Sequence, residues 1–115
     1  MDIQTRIVDS SRNVTELTLT GRLDAYSSQT VKETLHQLID GSAAVVVINL
    51  AEVYFIDSSG LSALVSGLRV AREKNKDILL AGLSKQAKMV FKLTMLDRIF
   101  TIYSTVEEAL DQLSG

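Results

Sequence analysis

The sequence has no cysteine and no proline, and His36 is its only histidine among 115 residues. Without cysteine there is neither a disulfide framework nor thiolate chemistry. A single histidine and no cysteine provide too few ligands for a typical zinc site, and only one candidate base for a Ser-His-Asp triad. We therefore expect no catalytic residues, no metal site and no cofactor.

Long runs of one residue type are also missing. The net charge is −2 without a basic run, which argues against direct binding to nucleic acid. The longest apolar stretch falls far short of the roughly 18 to 20 residues that cross a bilayer, so no membrane partner is expected. The N-terminus lacks the charged and apolar regions of a signal peptide. We therefore expect a cytoplasmic protein.

The remaining composition is that of an ordinary globular domain, with 46% apolar and 23% charged residues. The length fits a single domain over residues 1–115. Residue patterns predict the order β-β-α-β-α-β-α-β-α. Predicted strands cover residues 3–8, 14–20, 43–50, 78–83 and 99–103. Predicted helices begin at Ser27 or Ser28, near Ser58, after Ser84 and after Thr105, where Thr105-Val106-Glu107-Glu108 is a capping box.

These elements predict an α/β (mixed α+β) fold. The short turn after the first strand predicts an N-terminal antiparallel hairpin. The following β-α-β units predict a mostly parallel sheet of four to five strands, covered by about four helices. Residues expected to face the core from the first and third helices are Val31, Leu35, Leu38, Ala87, Val90, Phe91 and Thr94, with Met89, Leu93 and Leu96 beside them. His36 lies off its apolar stripe and is expected to be solvated.

The most informative segment is Asp57-Ser58-Ser59-Gly60-Leu61, between the predicted third strand and the second helix. Either Asp57 or Ser58 can cap this helix, because both residue types are favoured there. Gly60 would leave the backbone open to close approach by another group. The positive end of the helix dipole and the N–H groups of the first turn could also hold a phosphate.

A second carboxylate, Asp24, follows the second strand as Asp57 follows the third. It could satisfy nearby N–H groups in a turn, or it could meet a partner together with Asp57. Ligands and partners are usually met at this edge of an open α/β sheet. Two carboxylates could also bind Mg²⁺, but no third ligand is identifiable, so we predict no metal site.

At these residues the chain resembles STAS-domain proteins of the anti-sigma-factor antagonist family. The resemblance extends over the whole chain. It departs from many relatives at Ser62, where they carry a second glycine. Its landmarks are Gly21-Arg22-Leu23-Asp24, the strand at 45–50, the segment from Tyr54 to Leu61, and the segment from Leu93 to Phe100.

The resemblance implies a phosphorylation-controlled partner switch in transcription regulation, for example in a stress response. The unphosphorylated protein would bind an anti-sigma factor that is also a serine kinase of the histidine-kinase-like ATPase fold, and sigma factor would be released. Phosphorylation of Ser58 would block this binding, and a PP2C-type phosphatase would reverse it. We expect the partner-binding surface to comprise Asp24, Ala25, Tyr26, Asp57, Ser58, Ser59, Gly60 and Leu61.

Two other classes of protein stay open. A receiver-like domain would use Asp57 as a phosphoaspartate, but it needs an acidic pair after the first strand and a lysine after the last. Here Asp9 stands alone and Tyr103-Ser104-Thr105 follows the last strand. A small enzyme or nucleotide-binding protein could use Asp24 and Asp57, although the sequence has no glycine-rich phosphate loop.

Overall fold

The computed structural model describes residues 1–114 and contains a five-stranded mixed sheet in the order β1-β2-β3-β4-β5. Strand β1 pairs antiparallel with β2, and the other neighbours pair in parallel. The strands are β1 (Asp2–Asp9), β2 (Val14–Leu23), β3 (Val45–Ile56), β4 (Asp77–Ala81) and β5 (Thr101–Tyr103). The helices are α1 (Ser28–Asp40), α2 (Ser58–Glu73), α3 (Lys85–Leu93) and α4 (Val106–Ser114), with a 3-10 turn at Leu96–Arg98. The predicted fold class is confirmed.

Both faces of the central strand are covered, which is why its sequence is almost continuously apolar. Val46, Ile48 and Leu50 of β3 belong to the core beneath α1, α2 and α3. Val47 belongs to a second core, which packs against α4 through Ala109. Among residues 1–114 no helix combines the length and apolarity needed to cross a membrane.

Strand β3 is longer than predicted. We expected it to end at residue 50, but it continues to Ile56 because β2 also continues and Leu23 pairs with Ile56. In the added part only Val53 and Ile56 are buried, whereas Glu52 and Tyr54 are exposed, so the apolar run that defined the prediction stops too early. Gly21 supports the extension of β2, because its φ of 116° accompanies a register shift between Gly21 and Arg22.

The last two strands are shorter than predicted. Strand β4 ends at Ala81, since Gly82 leaves the strand conformation with φ 77°. Strand β5 begins at Thr101 rather than Ile99, because the 3-10 turn comes first. Phe100 then packs edge-on against Phe91, with ring centroids 5.6 Å apart.

Several predicted helix faces need correction. In α1 the third fully buried residue is Ile39, whereas Leu38 is only partly buried. His36 is half-buried rather than solvated, and its Nε2 lies 3.1 Å from Ser66 Oγ on α2. On α3, Ala87 and Phe91 are buried, but Met89 and Leu93 are exposed and Thr94 lies outside the helix as an exposed C-cap.

The predicted helix starts are confirmed, with two differences in how they are held. Ser84 Oγ accepts the Ala87 N–H at 3.1 Å, and Thr105 Oγ1 accepts the Glu108 N–H at 3.1 Å. The Glu108 carboxylate accepts the N–H of Ser104, the residue before the cap, rather than the Thr105 N–H of the predicted capping box. Ser27 occupies the N-cap position of α1 without a capping hydrogen bond from its side chain.

Candidate functional site

The site lies where β2 and β3 end side by side. Leu23 pairs with Ile56, so the residues that follow, Asp24 and Asp57, emerge at one edge of the sheet. The Asp57 N–H donates to the Leu23 carbonyl at 3.2 Å, which joins the two segments by a backbone hydrogen bond. The predicted proximity of the two acidic segments is therefore confirmed.

Asp57, not Ser58, caps helix α2. Its Oδ1 accepts the Gly60 N–H at 3.0 Å, and its backbone is extended as an N-cap requires. Ser58 is the first residue of the helix and is exposed. Among residues 1–114 its hydroxyl has no hydrogen-bond partner. The fold therefore makes no structural use of this hydroxyl, although it stands at the helix N-terminus.

Ser59 differs from its neighbour in position. It is half-buried and lines a groove between α1 and α2, with Lys32 of α1 on the same groove. Ser58 instead lines a groove on the other side of α2, next to Val65 and Leu96. The two adjacent serines thus belong to different surfaces, and Ser58 is the more accessible.

Gly60 allows a close approach of another group to the backbone, as expected from the sequence. A Cβ at this position would lie 2.3 Å from the Leu23 carbonyl oxygen and 2.7 Å from Leu23 Cγ. The close approach that we expected from another group is made by the chain itself. Leu61 is buried in the core with 6% of its surface exposed. Gly60 and Leu61 are therefore buried, although both were predicted to be part of the partner surface; Gly60 lets the helix start pack against Leu23 of β2, and Leu61 belongs to the core.

Asp24 is a turn carboxylate with local partners. It accepts the Tyr26 N–H at 3.0 Å and is paired with Arg22 Nε at 3.3 Å. Partial burial opposes its ionisation, but these hydrogen bonds and the Arg22 charge outweigh that effect and lower its pKa. Its backbone N–H donates to Ser27 Oγ at 3.0 Å. The turn places Ala25 and Tyr26 in solvent, and 97% of the Tyr26 surface is exposed.

Three side chains support the site without an assigned role in the sequence analysis, namely those of Arg22, Phe55 and Gln86. The Arg22 guanidinium lies over the Phe55 ring at 4.2 Å, next to the exposed Tyr54. Gln86 of α3 accepts the Ile56 N–H at 3.1 Å and donates to the Ile56 carbonyl at 2.9 Å. Both contacts cross between distant parts of the chain, so no local pattern reveals them.

The site shows no arrangement suited to a metal ion. Within the described residues no three His, Cys, Asp or Glu side chains come together. The Asp24 and Asp57 carboxylates are each engaged in their own turn. What the arrangement offers is an exposed hydroxyl at a helix N-terminus, flanked by exposed side chains at a rigid sheet edge.

Asp57→Ala should lower the free energy of unfolding by about 1 kcal/mol, because the Gly60 N–H loses its acceptor. Asp57→Asn is the matched control, since an amide oxygen can accept the same hydrogen bond. Urea unfolding followed by circular dichroism measures both. Equal losses in the two variants would show that charge, rather than the cap, is what stabilises this turn.

The comparisons with known proteins identify the class to which this fold and site belong. The STAS domain family model matches residues 5–109, and the chain belongs to the STAS domain family. A curated relative, the anti-sigma-B factor antagonist of Listeria monocytogenes serovar 1/2a, is 30% identical over 102 residues. That match covers 89% of this chain and 90% of the relative.

Solved structures share the fold over nearly the whole chain. The Thermotoga maritima protein TM1081 matches with a TM-score of 0.90 at 24% identity, covering 98% of this chain and 95% of that one. The anti-sigma factor antagonist SpoIIAA in its unphosphorylated form matches with a TM-score of 0.84 at 23% identity, covering 99% and 97%. Its phosphorylated form, described as a Bacillus cell fate determinant, matches with a TM-score of 0.76 at 23% identity, covering 97% and 99%.

Proposed function

We propose that this chain is an anti-sigma-factor antagonist that acts as a phosphorylation-controlled partner switch. Unphosphorylated, it binds an anti-sigma factor that is also a serine kinase of the histidine-kinase-like ATPase fold, and sigma factor is released. Phosphorylation of Ser58 blocks the binding, and a PP2C-type phosphatase restores it. The observation that carries the proposal is the exposed Ser58 hydroxyl at a helix N-terminus, which has no hydrogen bond to any residue that the structure describes.

The proposal makes the whole chain, residues 1–115, one binding domain that acts in the cytoplasm and has no catalysis of its own. Its support is the 30% identity with a relative named anti-sigma-B factor antagonist over 89% of this chain. SpoIIAA has been solved in both phosphorylated and unphosphorylated forms. Those two structures support the fold, and the match to the named relative supports the role.

The free chain can carry a phosphate at Ser58 without refolding. A phosphate brings about −1.5 to −2 charges and three strong acceptor oxygens. The first turn of α2 presents N–H groups and the positive end of the helix dipole to this charge. Asp57 opposes it by charge repulsion, but Asp57 already caps the helix through the Gly60 N–H. The two effects act in opposite directions, so stability should change little.

The same phosphate would be costly in a protein interface. It would be desolvated next to Asp24 and Asp57, which lie at the same sheet edge. A penalty of only about 3 kcal/mol weakens binding roughly a hundredfold. The switch then requires no conformational change, because a charge placed at the contact surface is sufficient.

Ser58, rather than Ser59, is expected to be the phosphoacceptor, because Ser58 is exposed while Ser59 lines the groove towards α1. Incubation with the cognate anti-sigma factor kinase and ATP, followed by mass spectrometry, locates the phosphate. Ser58→Ala should abolish incorporation, and Ser59→Ala, the matched control, should retain it. Phosphate found only on Ser59 would refute the assignment.

The same sample separates the proposal from the receiver-like alternative. A phosphoserine survives acid, whereas an acyl phosphate on Asp57 is hydrolysed by hot acid as well as by base. An acid-stable product on the wild-type chain that is absent from Ser58→Ala would exclude a phosphoaspartate. Nucleotide binding or hydrolysis by the isolated chain would instead favour the nucleotide-binding alternative.

A further inference from the structure

Helix α3 and the turn that follows expose large apolar side chains. The exposed fractions are 64% for Met89, 77% for Leu93 and 59% for Met95, with Ile99 next at 44%. These four are half of the eight large apolar residues that are exposed among the described residues, yet they fall within eleven positions of the chain. We call Met89, Leu93 and Met95 the α3 ridge. Clustered exposed apolar residues mark interaction surfaces more often than scattered ones do.

Hydrogen bonds to β3 fix the side of α3 on which the ridge lies. Gln86 binds both the N–H and the carbonyl of Ile56, the last residue of β3. Met89 and Leu93 follow Gln86 at i+3 and i+7 and therefore share its side of the helix. That side borders the turn that carries Asp57 and Ser58.

A groove along α2 extends from Ser58 to Leu96, the residue after Met95. It is lined by Ser58, Leu61, Val65, Arg69 and Leu96, among others. Leu96 directly follows Met95, and one wall of the groove is apolar. The exposed serine therefore lies in a groove that reaches the residue next to the ridge.

Met95 adopts a backbone conformation that rarely suits a bulky residue. Its φ of 62° and ψ of 14° lie in the left-handed region, where glycine or asparagine is favoured. Because 59% of Met95 is exposed, little core packing compensates for this conformation. Met95 directly follows Thr94, the C-cap of α3, and helices commonly end with a left-handed residue at that position. What is unusual here is the large, exposed side chain.

The charges around the ridge indicate what kind of surface would cover it. Lys85, Lys88 and Lys92 are exposed on α3, and Arg69 and Arg98 are exposed nearby on α2 and the 3-10 turn. Asp97 in the same turn is the one exposed acid among Lys85 to Ile99, so the surface is basic on balance. A second copy of this chain would bring the same basic residues against each other. The ridge and its basic surroundings are instead complementary to an apolar surface with an acidic rim.

We propose that the α3 ridge is a second contact region for the anti-sigma factor kinase and meets an apolar, acid-rimmed part of that partner. This inference rests on the proposed function and extends the predicted surface beyond the segments around Asp24 and Ser58. The ridge supplies affinity through apolar burial, and Ser58 supplies control through charge. The two contributions are therefore separable by mutation.

Met89→Ser and Leu93→Ser should each weaken binding to the kinase about tenfold, as truncation of a buried interface anchor does. Ile7→Ser is the matched control. Ile7 is also apolar and 68% exposed. It pairs with Thr15, which in turn pairs with Val46 at the start of β3, so Ile7 lies at the opposite end of the sheet from Ser58. The Ile7→Ser variant should bind the kinase with an affinity within twofold of the wild-type chain. Surface plasmon resonance with immobilised kinase measures all three, and circular dichroism confirms that the variants are folded.

Each outcome bears on a different claim. If wild-type chain is bound and phosphorylated while both ridge variants bind equally well, the ridge inference is wrong and the proposed function stands. If the kinase neither binds nor phosphorylates wild-type chain, both are wrong. Sedimentation velocity showing a concentration-dependent dimer that Leu93→Ser dissolves would assign the ridge to a second copy and overturn the inference. Cosedimentation with anionic vesicles that Leu93→Ser abolishes would overturn it in favour of a membrane surface.

Discussion

Ser58→Asp is expected to weaken binding to the anti-sigma factor kinase by about a hundredfold, whereas Ser58→Ala should bind like the wild-type chain. Ser58 is exposed and its hydroxyl has no hydrogen bond within residues 1–114, so neither change removes a hydrogen bond from the described part of the domain. The aspartate places an unpaired charge where Asp24 and Asp57 already lie. Desolvation and like-charge repulsion then act against the complex. Surface plasmon resonance at two salt concentrations measures the loss.

Ser10→Asp provides the control for added negative charge. Ser10 is exposed in the turn between β1 and β2, at the opposite end of the sheet. The Ser10→Asp variant should bind the kinase with an affinity within about twofold of the wild type, because exposed charges farther apart than a Debye length of ~8 Å are largely screened. Tight binding by Ser58→Asp would show that charge at this position does not control the interface.

Gly60→Ala is expected to cost about 3 kcal/mol of unfolding free energy, the upper part of the range for overpacking. A Cβ would lie 2.3 Å from the backbone oxygen of Leu23, which is held in β2 by its pairing with Ile56. Neither that strand nor the capped helix start can shift without losing hydrogen bonds. Such a cost is a large fraction of the ~5 to 15 kcal/mol by which domains are stable.

Ser62→Ala is the control for adding helix propensity without a clash. Ser62 is exposed on α2 two residues after Gly60, and alanine should leave stability unchanged or slightly raised. Urea unfolding of the two variants gives the comparison. A Gly60→Ala protein as stable as wild type would mean that β2 and α2 separate at little cost, contrary to the contact described.

The element order and most helix starts could be predicted from local patterns. The run of apolar residues in β3 and the cap residues Ser84 and Thr105 act within a few positions of the chain, so sequence reveals them. The early end assigned to β3 had a physical cause. The second half of β3 is covered only in part, and exposed residues such as Glu52 and Tyr54 interrupt the buried positions.

The candidate site could be predicted in position but not in internal arrangement. Sequence placed Asp57 and Ser58 at a helix start, but it could not decide which of them caps the helix. That choice depends on the direction of the Asp57 carboxylate towards Gly60. The double hydrogen bond of Gln86 to Ile56 spans 30 positions and leads to a backbone group, for which no residue type is diagnostic.

Because the Asp57 carboxylate caps α2, position 58 can be occupied by many residue types. Because the first turn of α2 is held by its neighbour, the residue at 58 can be exchanged without altering the scaffold. Threonine would offer a different kinase the same hydroxyl, and glutamate would fix the domain in a permanently charged state. The domain can thus be re-engineered to answer a new signal by changing one side chain.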